Sequence, residues 1–459
     1  MTEAIVASGP AYAERLASWL TDIDPARLPE STVAMCRRLV LDVSGLCLAA
    51  RREDYVRAVR ATTEKGPCSA LGHEGGFDLY GAALVNGTAA HGEDYDDTFE
   101  GGPVHSGAVI VPAVLAAAER FDLAGSDMLA GIAAGVELMC RLSLVAPKAI
   151  HKAGFHPTAV IGALAAAAAI GRALDLEEKP LVSALGIAGS QAAGIIEYLA
   201  EGSWTKRMHA GWAAQSGIRA ALMAREGFFG PRTVLEGVHG FYKAFAPSVK
   251  PDFSFLTDDL GTRWVMDGVA FKPYACGTMI QPYIDCAVAL ARRGIEAGRI
   301  SEMVCKVGEG TVHRLWEPLG LKQAPPTPYA AKFSSPFCIA MGLLQQKAGF
   351  EQFTEATIRD RTALELAAKI RYVIDPDNPY PNAFTGHIRA ILTDGSEIEL
   401  DQSHMRGGVQ QPLSDAEIAR KFIDNAVYGG WPRARAEAFA ERCGAVFETG
   451  PALFRDSRA

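Results

Sequence analysis

The sequence predicts a mainly α protein of two domains, a large all-helical domain and a smaller α+β domain. The chain has 459 residues, more than a single ordinary hydrophobic core accommodates. Apolar residues recur at three- and four-residue spacing from residue 10 to about residue 245, which is typical of helices packed on one face. Segments that alternate apolar and polar residues appear only after residue 262, so we expect the strands there.

The large helical domain is predicted to span residues 1–262. Its helical spacing is clear in AYAERLASWL and TVAMCRRLVLDVSGLCLAA, and again in PTAVIGALAAAAAIGRAL. Ala and Gly dominate the contact faces, so the helices can approach one another closely. Each Gly costs about 1 kcal/mol of helix propensity relative to Ala, and we therefore expect packing to hold these helices.

The smaller α+β domain is predicted to span residues 263–411. ISEMVCKVGEG and KIRYVID alternate as strands do, and HIRAILTDGSEIEL contains two such runs around Asp394-Gly395, which indicates a hairpin. Helical segments such as IQPYIDCAVALARRG lie between the strands. Residues 412–459 are predicted to be helical again, starting with a capping box from Ser414 to Glu417, and to join the large domain.

The composition excludes several classes of function. The net charge is −8 and no basic cluster exists, which argues against nucleic acid as a partner. The nine cysteines occur singly, which argues against a disulfide framework and against a structural zinc site. The N-terminus lacks a signal pattern, and the longest apolar run, residues 159–174, is short and contains Arg172. We expect a soluble cytoplasmic protein with no membrane partner.

The segment NGTAAHGEDYDDTFEGGPVHSGAVIVPA, residues 86–113, places ionisable side chains between two apolar stretches. If the preceding helix continues, one of its faces carries three of them and a threonine at spacings of three and four: His91, Asp94, Asp97 and Thr98. Carboxylates this close repel, so the pKa of one would rise, which suits proton transfer. A solvated loop is an equal alternative. A magnesium or calcium site is less favoured because no calcium-loop spacing is present.

Two further stretches offer groups for an anion at helix N-termini. His156 stands directly before Pro157, a residue typical of the first helical position, although a capping histidine is the commoner role. In TKRMHAG, Lys206 and His209 share a helix face, and cations near a helix N-terminus suit a bound anion. The alternative is a solvated basic turn.

Lys272 and Cys276, in FKPYACG, fall near the presumed domain junction, where pockets are common. The alternatives are a surface lysine and a buried thiol. The sequence contains no phosphate loop, no nicotinamide, flavin or pyridoxal phosphate motif, and no nucleophile elbow.

Four stretches occur in the order typical of the MmgE/PrpD family: HGEDYDDTFEGGPVHSGAVIVPAVLAAAE, GFHPTAVIGALAAAAA, TKRMHAGWAAQSGIRAALMAREGFFGPRTVLEG and FKPYACGTMIQPYIDCAVAL. The chain resembles this family over nearly its whole length. The family includes 2-methylcitrate dehydratase, cis-aconitate decarboxylase and iminodisuccinate epimerase. The resemblance implies the two-domain fold, a homodimer, and an enzyme without metal or organic cofactor that acts on small polycarboxylates. The site residues it implies are Asp94, Thr98, His105, His156, Lys206 and Lys272.

The sequence departs from the family pattern at three places. The interval from Thr98 to His105 is one residue longer than in the decarboxylases, Gln281 replaces a common His, and Phe337 replaces a Tyr of the decarboxylases. If those groups serve decarboxylation or protonation of a leaving group, their loss favours a reaction that needs neither. An epimerase only removes an α-proton and returns one on the other face.

The sequence and the resemblance together predict a cofactor-independent epimerase of a small dicarboxylate, most similar to iminodisuccinate epimerase. Alternatives are a hydro-lyase of the 2-methylcitrate dehydratase kind, a less favoured lyase of the cis-aconitate decarboxylase kind, and a non-catalytic polycarboxylate-binding protein. The predicted catalytic residues are Asp94, His105, Lys272 and His156. The predicted substrate-binding residues are Thr98, Lys206, Arg207, His209 and Cys276. Three nearby acids are expected to be structural or solvated: Glu93, Asp96 and Glu100.

Overall fold

The computed structural model describes residues 9–102 and 104–458, so the outer ends of the predicted ranges 1–262 and 412–459 lie outside the described residues. Two units can be separated by their internal contacts. The first runs to Gly92, resumes over Asp96–Val269, and includes the chain from Ile418 onward. The second consists of Glu93–Tyr95 and Ala270–Glu417.

Helices form almost all of the first unit. The helices before residue 262 are α1 (Tyr12–Asp22), α2 (Glu30–Ala50), α3 (Asp54–Arg60), α4 (Leu79–His91), α5 (Gly107–Phe121), α6 (Gly125–Val145), α7 (Ala149–Lys152), α8 (Pro157–Ala173), α9 (Glu178–Gln191), α10 (Tyr198–Glu201), α11 (Thr205–Arg225), α12 (Phe241–Phe245) and α13 (Ser254–Thr257). Three short strands are also present: β1 (Lys65–Cys68), β2 (Thr98–Phe99) and β3 (Val269–Ala270).

Small residues allow the central helices of the first unit to approach closely. Helix α8 is buried along nearly its whole length and packs against α5, α6, α9 and α11. A Cβ added at Gly135 of α6 would lie 2.6 Å from the Cβ of Ala169 in α8. One added at Gly87 of α4 would lie 2.5 Å from the Cα of Gly211 in α11. These separations leave no room for larger side chains, as the Ala- and Gly-rich sequence predicts.

The second unit combines a mixed sheet with helices. Its helices are α14 (Gln281–Arg292), α15 (Glu309–Leu315), α16 (Leu319–Gln323), α17 (Pro328–Ala331), α18 (Ser335–Gln345) and α19 (Arg361–Ala367). Its strands are β4 (Ile300–Val307), β5 (Ile370–Ile374), β6 (Gly386–Leu392) and β7 (Glu397–Gln402), in the spatial order β5-β4-β6-β7. Strand β4 is parallel to β5 and antiparallel to β6, and β6 is antiparallel to β7. Helix α14 packs on β6 and β7 and against α18.

The predicted hairpin and capping box are confirmed. Strands β6 and β7 are joined through Gly395, which has a φ of 84° that favours glycine, and Asp394 accepts a hydrogen bond from the Ser396 amide at 2.9 Å. The Ser414 amide donates to Glu417 Oε2 at 2.9 Å, and the Glu417 amide donates to Ser414 Oγ at 3.3 Å. This box starts the terminal helices: α20 (Asp415–Tyr428), α21 (Arg433–Cys443), α22 (Val446–Thr449) and α23 (Ala452–Arg455).

The predicted fold class, mainly α in two domains with a smaller α+β part, is confirmed. The units divide after Val269 and Glu417, whereas the sequence places the divisions after residues 262 and 411. The first unit extends further because residues 265–268 form a 3₁₀ turn that packs on α6, where the Met266 amide donates to Glu137 Oε2 at 2.9 Å. Among the described helices, α6 is long and apolar enough to cross a membrane, but 94% of its apolar window is buried, as in a core helix of a soluble protein.

Candidate active site

Four histidines form a cluster inside the first unit. His91 ends α4, His105 precedes α5, His156 caps α8, and His209 lies in the second turn of α11. The ring centroids are 5.1 Å apart for His91 and His105, 5.4 Å for His91 and His156, and 5.3 Å for His156 and His209. Three of the rings are almost fully buried, and only the His105 side chain is measurably exposed, at 13%. The fold thus gathers residues that are up to 118 positions apart (209 minus 91) into one group of imidazoles.

The helices hold the rings in place through backbone contacts. His156 is the N-cap of α8, as predicted, with Pro157 at the first helical position, and its own amide donates to the Gly194 carbonyl at 2.8 Å. The His105 amide donates to Thr158 Oγ1 in the first turn of α8 at 3.2 Å. These contacts fix the main chain at the helix termini from which the two imidazoles project.

Hydrogen bonds determine which nitrogen of His105 carries the proton. Its Nδ1 lies 2.6 Å from the Asp97 carbonyl oxygen, and a carbonyl can only accept, so Nδ1 is the donor. In the neutral form, Nε2 is then the nitrogen that carries the lone pair and can accept a proton. This arrangement suits general acid and base chemistry at His105.

Asp96 holds the neighbouring imidazole of His91. The His91 Nδ1 lies 2.6 Å from Asp96 Oδ2, and Asp96 Oδ1 is 3.6 Å from the His105 Nδ1. Both side chains of the His91–Asp96 pair are fully buried. The expectation that Asp96 is structural fits this role, since a carboxylate that accepts from Nδ1 orients the ring and sets its tautomer.

His156 and His209 share one proton between facing nitrogens. Their Nδ1 atoms are 3.2 Å apart, so one must donate and the other must accept, which excludes protonation of both. Burial, reinforced by His91 and His209, lowers the pKa of His156 well below its usual range. Burial, together with His91 and Lys206, lowers the pKa of His209 to about 4. At neutral pH both rings are uncharged, so they can hydrogen-bond a substrate but do not supply a positive charge.

Asp97 has a structural role at the start of α5. Its carboxylate accepts from the Gly107 amide at 2.9 Å and from Ser106 Oγ at 3.0 Å, while burial and the neighbouring Asp96 raise its pKa to about 7. Helix α4 ends at His91, and Asp94 has a left-handed φ of 56°. The single helix face that would carry His91, Asp94, Asp97 and Thr98 is therefore not formed. Thr98 is buried in β2.

The start of α11 places positive charge near the histidine cluster. Lys206 is half-buried, and its charge contributes to the lowered pKa of His156 and His209. The Arg207 guanidinium is buried and lies 4.3 Å from the centre of the Tyr55 ring. Stacking on an aromatic face keeps a guanidinium ordered and charged. Both residues were predicted to bind substrate carboxylates, and this remains a prediction.

One group could supply metal ligands. His91, Asp96 and His105 offer ligand atoms that lie within 4.8 Å of one another. Both Nδ1 atoms, however, point at oxygen acceptors 2.6 Å away, so they carry protons there instead of lone pairs. A metal ion would have to replace both hydrogen bonds. The expectation of a metal-free site stays a prediction.

A second group of ionisable residues surrounds Asp94 in the second unit. The buried Lys272 donates from Nζ to the Asp94 carbonyl oxygen at 3.1 Å, and the Tyr329 hydroxyl donates to Asp94 Oδ2 at 2.7 Å. The buried Lys332 donates from Nζ to the carbonyl oxygen of the adjacent Glu93 at 3.0 Å, and also to the Glu93 carboxylate. We call residues 93–95 with Lys272, Tyr329 and Lys332 the Asp94 cluster.

The side chains that depart from the family pattern are packed into this unit. The Gln281 amide nitrogen donates to the Tyr274 carbonyl at 2.9 Å and to the Cys276 carbonyl at 3.2 Å, so Gln281 holds the loop that follows Lys272. Cys276 is fully buried within that loop. Phe337, in α18, is also fully buried, with its ring 6.3 Å from that of Phe353. Neither Gln281 nor Phe337 offers an acid or a base.

Sequence reasoning missed three members of these groups: His91 in the first unit, and Tyr329 and Lys332 in the second. The sequence places His91 on the predicted ionisable face but assigns it no catalytic or binding role. Tyr329 and Lys332 are three residues apart after Pro328, a spacing that places side chains on one helical face. Their role becomes clear only from their partners, Asp94 and Glu93, which lie 235 and 239 residues away in the sequence.

Comparison with known proteins matches both parts of the chain. Residues 14–254 match the MmgE/PrpD N-terminal domain, and residues 274–443 match the MmgE/PrpD C-terminal domain. The chain is 30% identical to the cis-aconitate decarboxylase of Homo sapiens over 363 residues, which is 75% of this chain and 72% of that protein.

Fungal relatives align over more of the chain. The cis-aconitate decarboxylase of Aspergillus terreus (strain NIH 2624 / FGSC A1156) is 26% identical over 436 residues, 88% of this chain and 87% of that protein. The cis-aconitate decarboxylase-like protein oryM of Aspergillus oryzae (strain ATCC 42149 / RIB 40) is 26% identical over 434 residues, 89% of each. The human and Aspergillus terreus relatives are named decarboxylases, which are lyases, and these names favour the lyase alternative over the epimerase that the sequence analysis placed first. The two domain matches and these alignments show that the chain belongs to the MmgE/PrpD family.

Proposed function

We propose that the chain is a cofactor-independent lyase that removes carbon dioxide from a small unsaturated tricarboxylate of the cis-aconitate class. The observation that carries the proposal is the buried Lys272 beside Asp94, in a chain whose aligned relatives are named cis-aconitate decarboxylases. A buried ammonium group stabilises negative charge more strongly than an exposed one, because little water screens it.

The reaction needs a place for an electron pair and a source of one proton. When the bond between carbon and a carboxylate breaks, carbon dioxide leaves and its bonding electron pair stays on the substrate, where it is shared with the neighbouring double bond. A proton must then be added to carbon. We assign Lys272 to the stabilisation of the developing charge and His105 to proton transfer, because its Nδ1 contact with Asp97 makes Nε2 the reactive nitrogen. Asp94 and His156 complete the proposed catalytic set.

The remaining carboxylates of such a substrate need cations and hydrogen-bond donors. We propose that Lys206 and Arg207 supply the charge, while His209 contributes a neutral hydrogen bond because burial lowers its pKa to about 4. Thr98 and Cys276, which are both buried, are proposed as further substrate contacts.

The test follows the products in heavy water. Incubation of the enzyme with cis-aconitate in D₂O should release carbon dioxide and give a dicarboxylate with one deuterium on carbon, as read by NMR and mass spectrometry. Recovery of unchanged substrate would contradict the proposal. Loss of water from 2-methylcitrate without carbon dioxide would instead indicate the hydro-lyase. Binding without any exchange would indicate a polycarboxylate-binding protein.

A second candidate is the epimerase of a dicarboxylate such as iminodisuccinate. It is favoured by the packing of Gln281 and Phe337, which offer no acid at two of the three places where the chain departs from the family pattern. An epimerase would place deuterium at the α-carbon of its dicarboxylate and would release no carbon dioxide. The same NMR measurement therefore separates the two candidates.

The homodimer, the cytoplasmic location and the absence of nucleic acid and membrane partners remain predictions from the sequence. Several large apolar side chains of the first unit are exposed, which supports a subunit interface on that unit: Trp204, Trp212, Phe228 and Phe229. Light scattering of the purified protein would measure the mass, with a monomer contradicting the expected dimer.

A further inference from the structure

Tyr329 is tied to Asp94 although no motif of the sequence singles it out. Its hydroxyl donates to Asp94 Oδ2 at 2.7 Å, a typical length for a charge-assisted hydrogen bond. We propose that Tyr329 is a positioning residue that orients the Asp94 carboxylate and keeps it ionised for the reaction. This inference rests on the proposed function in assigning Asp94 to the chemistry.

Local structure delivers the Tyr329 hydroxyl to this place. Tyr329 lies in the single turn of α17, with Pro328 at the first position. Thr327 caps that turn by accepting from the Ala330 amide at 3.1 Å. The Tyr329 ring is packed edge-on against Phe333, with the centroids 5.5 Å apart. A capped turn and a ring contact fix the phenol without any help from Asp94.

The main chain around Asp94 is held by other residues. Lys272 donates to the Asp94 carbonyl oxygen, Lys332 binds Glu93, and the Tyr95 hydroxyl donates to the Pro273 carbonyl at 3.1 Å. These contacts support a backbone whose left-handed φ of 56° is unfavourable for a residue with a side chain. Removal of the Tyr329 hydroxyl should therefore take away this one contact of the carboxylate and leave the loop in place.

The hydroxyl has a defined effect on acid–base behaviour. A phenol that donates to a carboxylate favours the ionised form of that carboxylate. It also occupies Oδ2 and holds the torsion of the side chain, so the same oxygen atoms face the reaction in each turnover. Without the hydroxyl, Asp94 should take up a proton at higher pH and sample more orientations.

The test compares Tyr329→Phe with Tyr372→Phe. Tyr372 provides a matched control, because its hydroxyl donates to Glu317 Oε1 at the same distance, 2.7 Å, elsewhere in the unit. Infrared spectra over a range of pH, with those of Asp94→Asn subtracted, report the midpoint at which Asp94 becomes protonated. In Tyr329→Phe this midpoint should rise by about one pH unit or more, and in Tyr372→Phe it should not change.

Kinetics provide a second measurement. In Tyr329→Phe, kcat should fall about 10- to 100-fold with a smaller change in KM, and the acid limb of kcat/KM should move to higher pH. An unchanged infrared midpoint would overturn the role of Tyr329, whatever reaction the enzyme performs. A wild-type enzyme that releases no carbon dioxide from cis-aconitate would overturn the proposed function instead, and the infrared result would still decide the role of Tyr329.

Discussion

His156 and His209 face each other through their Nδ1 atoms at 3.2 Å, in a buried cluster where neither ring is charged at neutral pH. Acid should lower the stability of the folded protein, because unfolding exposes both rings to water and lets them take up protons. The pH dependence of stability should therefore report on the cluster.

Acidification should destabilise the protein through His209. Its folded-state pKa of about 4 lies below the ordinary value of 6.5, so the unfolded chain binds more protons between those values. The contribution of His209 to stability is complete above pH 6.5 and is lost as the pH falls toward 4, at ~1.4 kcal/mol per unit, which is about 2 kcal/mol by pH 5. Urea unfolding at pH 7.5 and pH 5 measures it. In His209→Gln, the free energy of unfolding should fall less between pH 7.5 and pH 5 than in the wild type. Replacement of the exposed His313 by Gln should leave that loss unchanged. An equal loss in both variants would contradict the assignment.

Gly87→Ala should disturb the cluster from a distance. The added Cβ would lie 2.5 Å from the Gly211 Cα and 2.7 Å from its nitrogen, so α4 and α11 would have to separate. We expect a loss of about 1–3 kcal/mol in the free energy of unfolding, together with lower activity, because α4 carries His91 and α11 carries His209. Gly320→Ala is the control, since nothing lies within 4 Å of the added atom. Denaturant unfolding measures the free energy of unfolding of both variants. Equal values for Gly87→Ala and Gly320→Ala would contradict this prediction.

Lys332→Met should destabilise the second unit strongly. The substitution leaves the buried carboxylate of Glu93 without the ammonium that pairs with it. Breaking such a pair from one side costs about 3–5 kcal/mol, whereas removal of both charges costs less. We expect the double variant Lys332→Met with Glu93→Gln to recover part of the lost stability in a double-mutant cycle. Additive losses would show that the two side chains do not interact.

Lys272→Met should abolish most of the activity while the protein stays folded. A buried cation beside developing charge commonly contributes about 100- to 1000-fold to the rate, so carbon dioxide release should fall by that factor. Lys306→Met offers a control, because Lys306 is a half-exposed lysine of the same unit, 3.5 Å from Glu399. Full turnover by the Lys272 variant, measured with a matched unfolding curve, would remove Lys272 from the mechanism.

Local sequence patterns predicted much of the fold correctly. The proline after His156 marks the start of α8, Asp394-Gly395 marks the turn between β6 and β7, and Ser414 with Glu417 caps α20. These signals succeed because each depends on backbone hydrogen bonds between near neighbours in the chain. The residues of the histidine cluster were also found, apart from the role of His91, since each stands in a motif of its own.

The stretch around Asp94 shows where such reasoning ends. Sequence patterns are enough to predict that this stretch carries acids and histidines between two apolar helices, and that most of the chain is helical. The folded structure is needed to see that α4 ends at His91, that Asp96 orients an imidazole, and that Asp94 joins Lys272 and Tyr329 in the second unit. The physical reason is that the hydrogen bonds of Asp94 come from residues 178 and 235 positions away, and no local preference specifies such partners.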